Sequence, residues 1–205
     1  TYGLTAVLAL ACLQLRSTYV LELWASAYGA TRGMSAALAS VLNVSLYGTE
    51  ALGVMRIEKG HAAGPELNGT TTAHDLGLGR MASKKKDFIG RRSLSRSDMV
   101  KPDRKQLVGL LTEDPQEVLP EGAQLVNVAD APTTAAPKEP VPMQGHVSSS
   151  YWSSAAGRSI ALGLVKGGMA RKGETLVVPM PDGRNVKVTL GDTVFVDAEG
   201  ARQHG

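Results

Sequence analysis

Residues 47–91 read YGTEALGVMRIEKGHAAGPELNGTTTAHDLGLGRMASKKKDFIGR. The first third has helical spacing. Ala51, Leu52, Met55 and Ile57 form one apolar face, and Gly60 is suited to the left-handed position that ends a helix. The spacing predicts a helix over Thr49–Glu58. Residues 64–72 carry Pro65, Asn68 and Gly69 and read as a polar loop, with Thr72 as the N-cap of a short helix. The run Ser83-Lys84-Lys85-Lys86-Asp87-Phe88-Ile89-Gly90 predicts a surface turn. Its two large apolar side chains, Phe88 and Ile89, are expected to anchor it in the core.

Downstream, residues 96–104 are polar and separate this part from a β-rich one. Strands are predicted over 105–110, 123–128, 145–151, 160–165, 174–179 and 185–190, with a last one over 194–196. Pro181-Asp182-Gly183-Arg184 joins the fifth and sixth as a hairpin turn. Residues 130–142 hold four prolines and read as a loop. Several short strands at this spacing predict a small β-barrel. Upstream, residues 20–42 read as a strand followed by a helix. The apolar run at 4–13 is too short to span a bilayer. The chain opens on Thr1 without an initiator Met, which leads us to expect a fragment of a longer protein.

The chain has 205 residues and 43% hydrophobic content, enough for a buried core. Aromatics are 4%, so aliphatic side chains must build that core. Net charge is +3, unevenly distributed. Residues 80–105 hold ten Lys or Arg against Asp87, Asp98 and Asp103. Such a patch suits a phosphate group or an acidic partner, or is simply a solvated face. Cys12, the single cysteine, excludes an internal disulfide and predicts a reducing compartment. His61, His74, His146 and His204 are scattered without metal-ligand spacing, so no metal is expected. A phosphate loop, a dinucleotide fingerprint and a nucleophile elbow are all missing. The lysine run has no interleaved aromatics to stack on bases, which argues against nucleic acid.

Three segments in order, Arg56-x-Glu58-x-Gly60, Thr72-x-x-Asp75-Leu76-Gly77-Leu78 and the Ser83 to Gly90 run, resemble the aminomethyltransferase family, the T-protein of the glycine cleavage system. They look still more like the C-terminal part of the alpha-subunit family of heterotetrameric sarcosine oxidases. Residues 145–173, with the strand Ile160-Ala161-Leu162-Gly163-Leu164-Val165, are similar to the closing barrel of that family. Ser153-Ser154-Ala155-Ala156-Gly157 stands where the family has a proline-containing turn.

The resemblance implies an α+β fold: the C-terminal portion of a folate-binding aminomethyltransferase-like domain over 1–104, then a β-barrel domain over 105–205. It implies part of a flavin-dependent oxidoreductase that demethylates sarcosine to glycine with release of hydrogen peroxide. This segment would bind tetrahydrofolate to accept the one-carbon unit as methylene-tetrahydrofolate, while FMN, FAD and NAD sit elsewhere in the complex. Expected partners are the beta, gamma and delta subunits and a small-molecule substrate, in the cytoplasm, with no nucleic acid and no membrane.

Glu22 matches the family carboxylate that accepts the paired pterin N–H donors, and a charge in an apolar strand needs such a partner. Lys84, Lys85 and Lys86 are candidate anion contacts for a flavin phosphate or a folate tail. Arg56 is a candidate ligand contact too, although its family role is a structural pairing with neighbouring elements. Leu52 stands where aminomethyltransferases place a folate-binding arginine. Two alternatives remain open at this point: a stand-alone tetrahydrofolate-dependent aminomethyltransferase, and a non-catalytic structural interface domain.

Overall fold

A computed structural model describes residues 47–133 and 140–203. Its chain divides into two compact units, Thr1–Ala51 and Leu52–Gly205. The second holds a closed barrel of six strands: β1 (Lys105–Thr112), β2 (Gln124–Asn127), β3 (Met143–Ser153), β4 (Arg158–Lys166), β5 (Thr175–Pro179) and β6 (Asn185–Gly191). Their order around the barrel is β1-β4-β3-β2-β5-β6, every neighbouring pair antiparallel. The six main strand expectations all fall on observed strands. The predicted domain boundary at 104/105 coincides with the start of β1, while the compact units divide between Ala51 and Leu52.

Alternation along the strands sorts side chains to two faces. Val108, Leu110, Leu125, Val147, Ala161, Val165, Leu176, Val178, Val188 and Leu190 form the interior cluster, with Leu119 from the β1–β2 loop packed among them. The intervening residues Leu107, Ile160, Leu162 and Leu164 form a second, outer cluster with Ile57. That second face exists because something covers it. The helix α1 (Thr49–Glu58) buries Ile57 there, and Leu76, Tyr151 and Phe195 pack around it. At β4 the interior narrows: a Cβ on Gly163 would lie 2.7 Å from Leu110 Cδ1, so a larger residue would displace the core.

Three local expectations are corrected. Residues 72–78 are turns rather than a helix. Leu76, Gly77 and Leu78 N–H donate to Thr72, His74 and Ala73 carbonyls. Residues 194–196 form no strand, because the Phe195 and Val196 N–H groups both donate to the Glu58 carbonyl, at 2.9 and 3.1 Å. Ile89 is fully exposed and Phe88 is exposed as well, so they do not anchor the lysine turn in the core. That turn is held by its own polar groups: Ser83 Oγ accepts from the Lys85 and Lys86 N–H groups. A four-residue helix, α2 (Arg91–Leu94), follows it.

Candidate functional site

Two buried carboxylates organise the chain between α1 and β1. Glu66 is 0% exposed, in the loop read from sequence as merely polar. Its Oε2 accepts from Arg56 Nη1 at 3.2 Å and from the Ala63 N–H at 2.8 Å. Its Oε1 accepts from Ser149 Oγ at 2.9 Å, and Arg56 Nη2 donates to the same Ser149 Oγ. Burial alone pushes the Glu66 pKa up. Hydrogen bonds from the Ala63 N–H and Ser149 Oγ, with the Arg56 charge, overcome this and hold it below the ordinary carboxylate value.

A β-bulge makes this arrangement possible. Val147 pairs with Gly163 and Ser149 with Leu162, so Ser148 is an extra residue in β3. Before the bulge, Gly145 and Val147 lie opposite Val165 and Gly163, on the interior face; after it, Ser150 takes that face, opposite Ala161. The inserted residue reverses the parity and turns Ser149 outward, toward Glu66. Ser148 Oγ donates to the Leu162 carbonyl and is satisfied within the sheet.

The second carboxylate, Asp75, is 2% exposed. Arg104 Nε donates to its Oδ1 at 3.0 Å and Nη2 to its Oδ2, and Thr72 donates to Oδ2 through both N–H and Oγ1. The Asp75 carbonyl accepts from Leu107 N–H at 2.7 Å, inside β1. Burial raises its pKa, but Arg104 and Thr72 lower it more, so it stays below the usual carboxylate range. Arg104 also donates to the Thr70 and Asp98 carbonyls, closing the long excursion at its two ends.

A third tie joins the helix end to the chain after β6. Ser153 Oγ donates to Glu58 Oε1 at 2.5 Å, and Lys59 Nζ meets Asp197 Oδ2 at 2.9 Å. Gly60 has φ 67°, and a Cβ there would lie 2.5 Å from the Thr193 carbonyl oxygen, so the turn requires glycine.

The sequence candidates separate accordingly. Glu22 lies outside the described residues. Arg56 is committed to Glu66, Ser149 and the His61 carbonyl, which fits the structural pairing and leaves few N–H groups for a ligand. Glu58, two residues on, turns to Ser153 instead, as helical geometry requires of residues that share no face. Lys84, Lys85 and Lys86 are exposed and make no ion pair among the described residues. Sequence reading missed Glu66 and Ser149. The available signal was the run of three serines, Ser148 to Ser150, inside a barrel strand, together with a helix carrying an arginine with no acidic partner one turn away.

Among the described residues no group of three His, Cys, Asp or Glu converges to hold a metal. Nor is any described helix long and apolar enough to cross a membrane. The described residues thus build a barrel with a helix and loop clamped to its outer face by buried ion pairs.

This class of barrel is recognisable. Residues 105–197 match the family described as the glycine cleavage T-protein C-terminal barrel domain. The crystal structure of glycine cleavage system aminomethyltransferase T from Bartonella henselae superimposes with a TM-score of 0.66 at 22% identity, covering 83% of this chain and 45% of that one. The fold is therefore aminomethyltransferase-like. More specifically, the chain is a relative of sarcosine oxidase alpha subunits. It is 42% identical over 90% of its length to sarcosine oxidase subunit alpha of Corynebacterium sp. (strain U-96). It is 39% identical over 77% of its length to that of Rhizobium meliloti (strain 1021). The chain spans 18% and 16% of those two relatives.

Proposed function

We propose that this chain serves as the folate-handling part of a sarcosine oxidase-type alpha subunit. The observation that carries this reading is the 42% identity to a sarcosine oxidase alpha subunit over nine-tenths of the chain, together with the aminomethyltransferase-like fold. In this reading a flavin held elsewhere in the full assembly would take two electrons from the N-methyl amine of sarcosine and pass them to dioxygen, giving hydrogen peroxide, glycine and a one-carbon unit at the formaldehyde level. Tetrahydrofolate, held by this segment, would supply the nucleophilic nitrogens that take up that one-carbon unit. Glu22 accepts the paired pterin donors, and enclosure of the acceptor near the reactive carbon replaces a bimolecular encounter while excluding water.

The chain's own described residues have a supporting task. Arg56 and Glu66 neutralise each other, so they hold α1 on the barrel rather than meet substrate.

The test is folate titration of the intact assembly carrying Glu22→Ala, read by fluorescence quenching. Affinity should fall by about 10-fold or more, the loss of a charge-assisted pair of hydrogen bonds. Unchanged affinity sinks the assignment of Glu22. Absence of any folate binding in the unaltered assembly leaves instead a structural interface domain, the reading favoured by the saturation of Arg56 within the fold. Methylene transfer from an aminomethyl-lipoyl carrier without a flavin subunit would point to the stand-alone transferase.

A further inference from the structure

The loop over residues 78–101 combines two properties that a solvated surface rarely shows together. Leu78, Met81, Ile89 and Val100 are exposed, Met81 at 79% and Ile89 completely. Single exposed apolar residues are ordinary, but these sit within one 24-residue excursion that forms no strand. Interleaved with them are Arg80, Lys84, Lys85, Lys86, Arg92 and Lys101, none in an ion pair among the described residues. The loop's two carboxylates are taken by neighbours, Asp87 by Arg91 at 4.0 Å and Asp98 by Arg96 at 3.4 Å.

The loop is also held in shape from its base. The Arg104 guanidinium spans the Asp75 carboxylate before the loop and the Asp98 carbonyl near its end, and Arg91 donates to the Lys84 carbonyl across it. A closed, braced loop loses less freedom on docking than a slack one.

We propose that this loop docks onto an acidic, apolar-centred face of a different polypeptide in the assembly. The charge pattern selects the partner: uncompensated cations around exposed Met and Ile complement carboxylates around an apolar pocket. Phe88 is the single aromatic residue in the loop, too few for a stack of bases. The relatives are named alpha subunits, a name that implies other subunits. The inference rests on the proposed reading that this chain works within such an assembly.

The experiment uses the native assembly, purified through a tag on the full-length chain. Zero-length carbodiimide cross-linking joins Lys ammonium to carboxylate only in direct contact, and peptide mass analysis locates each link. Links from Lys84, Lys85 or Lys86 to Asp or Glu of a different polypeptide are the expected result. In parallel, a full-length chain carrying Lys85→Glu and Ile89→Asp should stay soluble and lose one polypeptide from the purified assembly, whereas Lys85→Arg with Ile89→Leu should keep it. Links confined to the same polypeptide or to a second copy of it would overturn the proposal, as would lysines that stay freely acetylated without links. Retention of every polypeptide by the charge-reversed variant would overturn it too. A preparation holding a single kind of polypeptide defeats the underlying assembly reading as well, so the two failures are distinguishable.

Discussion

The barrel and the excursion that precedes it are stabilised by different physics. In the barrel, residues from all six strands meet in one interior cluster, and each strand is registered to two neighbours. Loss of any single contact is shared among many. Residues 61–104 have no ladder and few buried apolar groups; their shape depends on Glu66 and Asp75, each paired with one arginine. Hydrophobic burial is distributed and tolerant, while a buried ion pair is concentrated and fails at once when one partner goes.

The sharpest way to break this contrast is Arg56→Ala. It strands the Glu66 charge in a fully buried site and should cost about 3–5 kcal/mol, read as a lower urea midpoint. Recovery of most of that loss in Arg56→Ala with Glu66→Gln would confirm that the stranded charge is the cause. Within the barrel, Leu125→Ala should cost about 2–5 kcal/mol through the cavity it leaves, and it should lower the cooperative transition as a whole. Asp75→Ala should cost about 1.5–3 kcal/mol, since hydrogen bonds to a charged group are lost. Limited proteolysis should then cut near residues 80–100 while the barrel stays intact; equal protection there would equate the two regions. At the small end, Lys172→Ala removes an exposed pair with Asp192 and should change stability by less than about 0.5 kcal/mol.

Acid provides a further discrimination. Both carboxylates have folded-state pKa values below their ordinary ones. The unfolded chain therefore takes up protons first as pH falls. Their contribution is complete above the unfolded carboxylate pKa of about 4 and is lost as pH drops through the lower folded values. Urea midpoints from pH 7 to 3 should decline, and Asp75→Asn should flatten that decline. A midpoint rising toward pH 3 would contradict the assigned pairing.

How much of this was legible in the sequence depended on the range of the interactions. Strands alternate locally, so β1, β4 and the β5–β6 hairpin could be read from Leu107 to Leu110, from Ile160 to Val165 and from the Asp182-Gly183 turn. The helix over Thr49–Glu58 was equally plain, because its face and its Gly60 stop are both local. Residues 194–196 carry a strand's composition, yet their N–H groups are taken by Glu58, far away in sequence. Phe88 and Ile89 looked like core residues by type alone, and type does not say whether a covering surface is present. Glu66 was hidden because its partners lie on a helix ten residues earlier and on a strand 83 residues later, where a one-residue bulge sets the facing. The structural pairing of Arg56 was foreseen in kind but not in partner. The candidate pterin ligand, Glu22, falls outside the described residues.

The strap that returns from β6 to α1 has a kinetic consequence. Lys59 and Asp197 are 138 positions apart, and closing so long a loop carries an entropic cost before any contact forms. The helix end can be clasped only after the barrel has brought the two termini of this unit together. Lys59→Ala should therefore accelerate unfolding while leaving the folding rate nearly unchanged, a φ-value near zero. The clasp acts as a late lock, setting how long the native state lasts rather than how quickly it is reached.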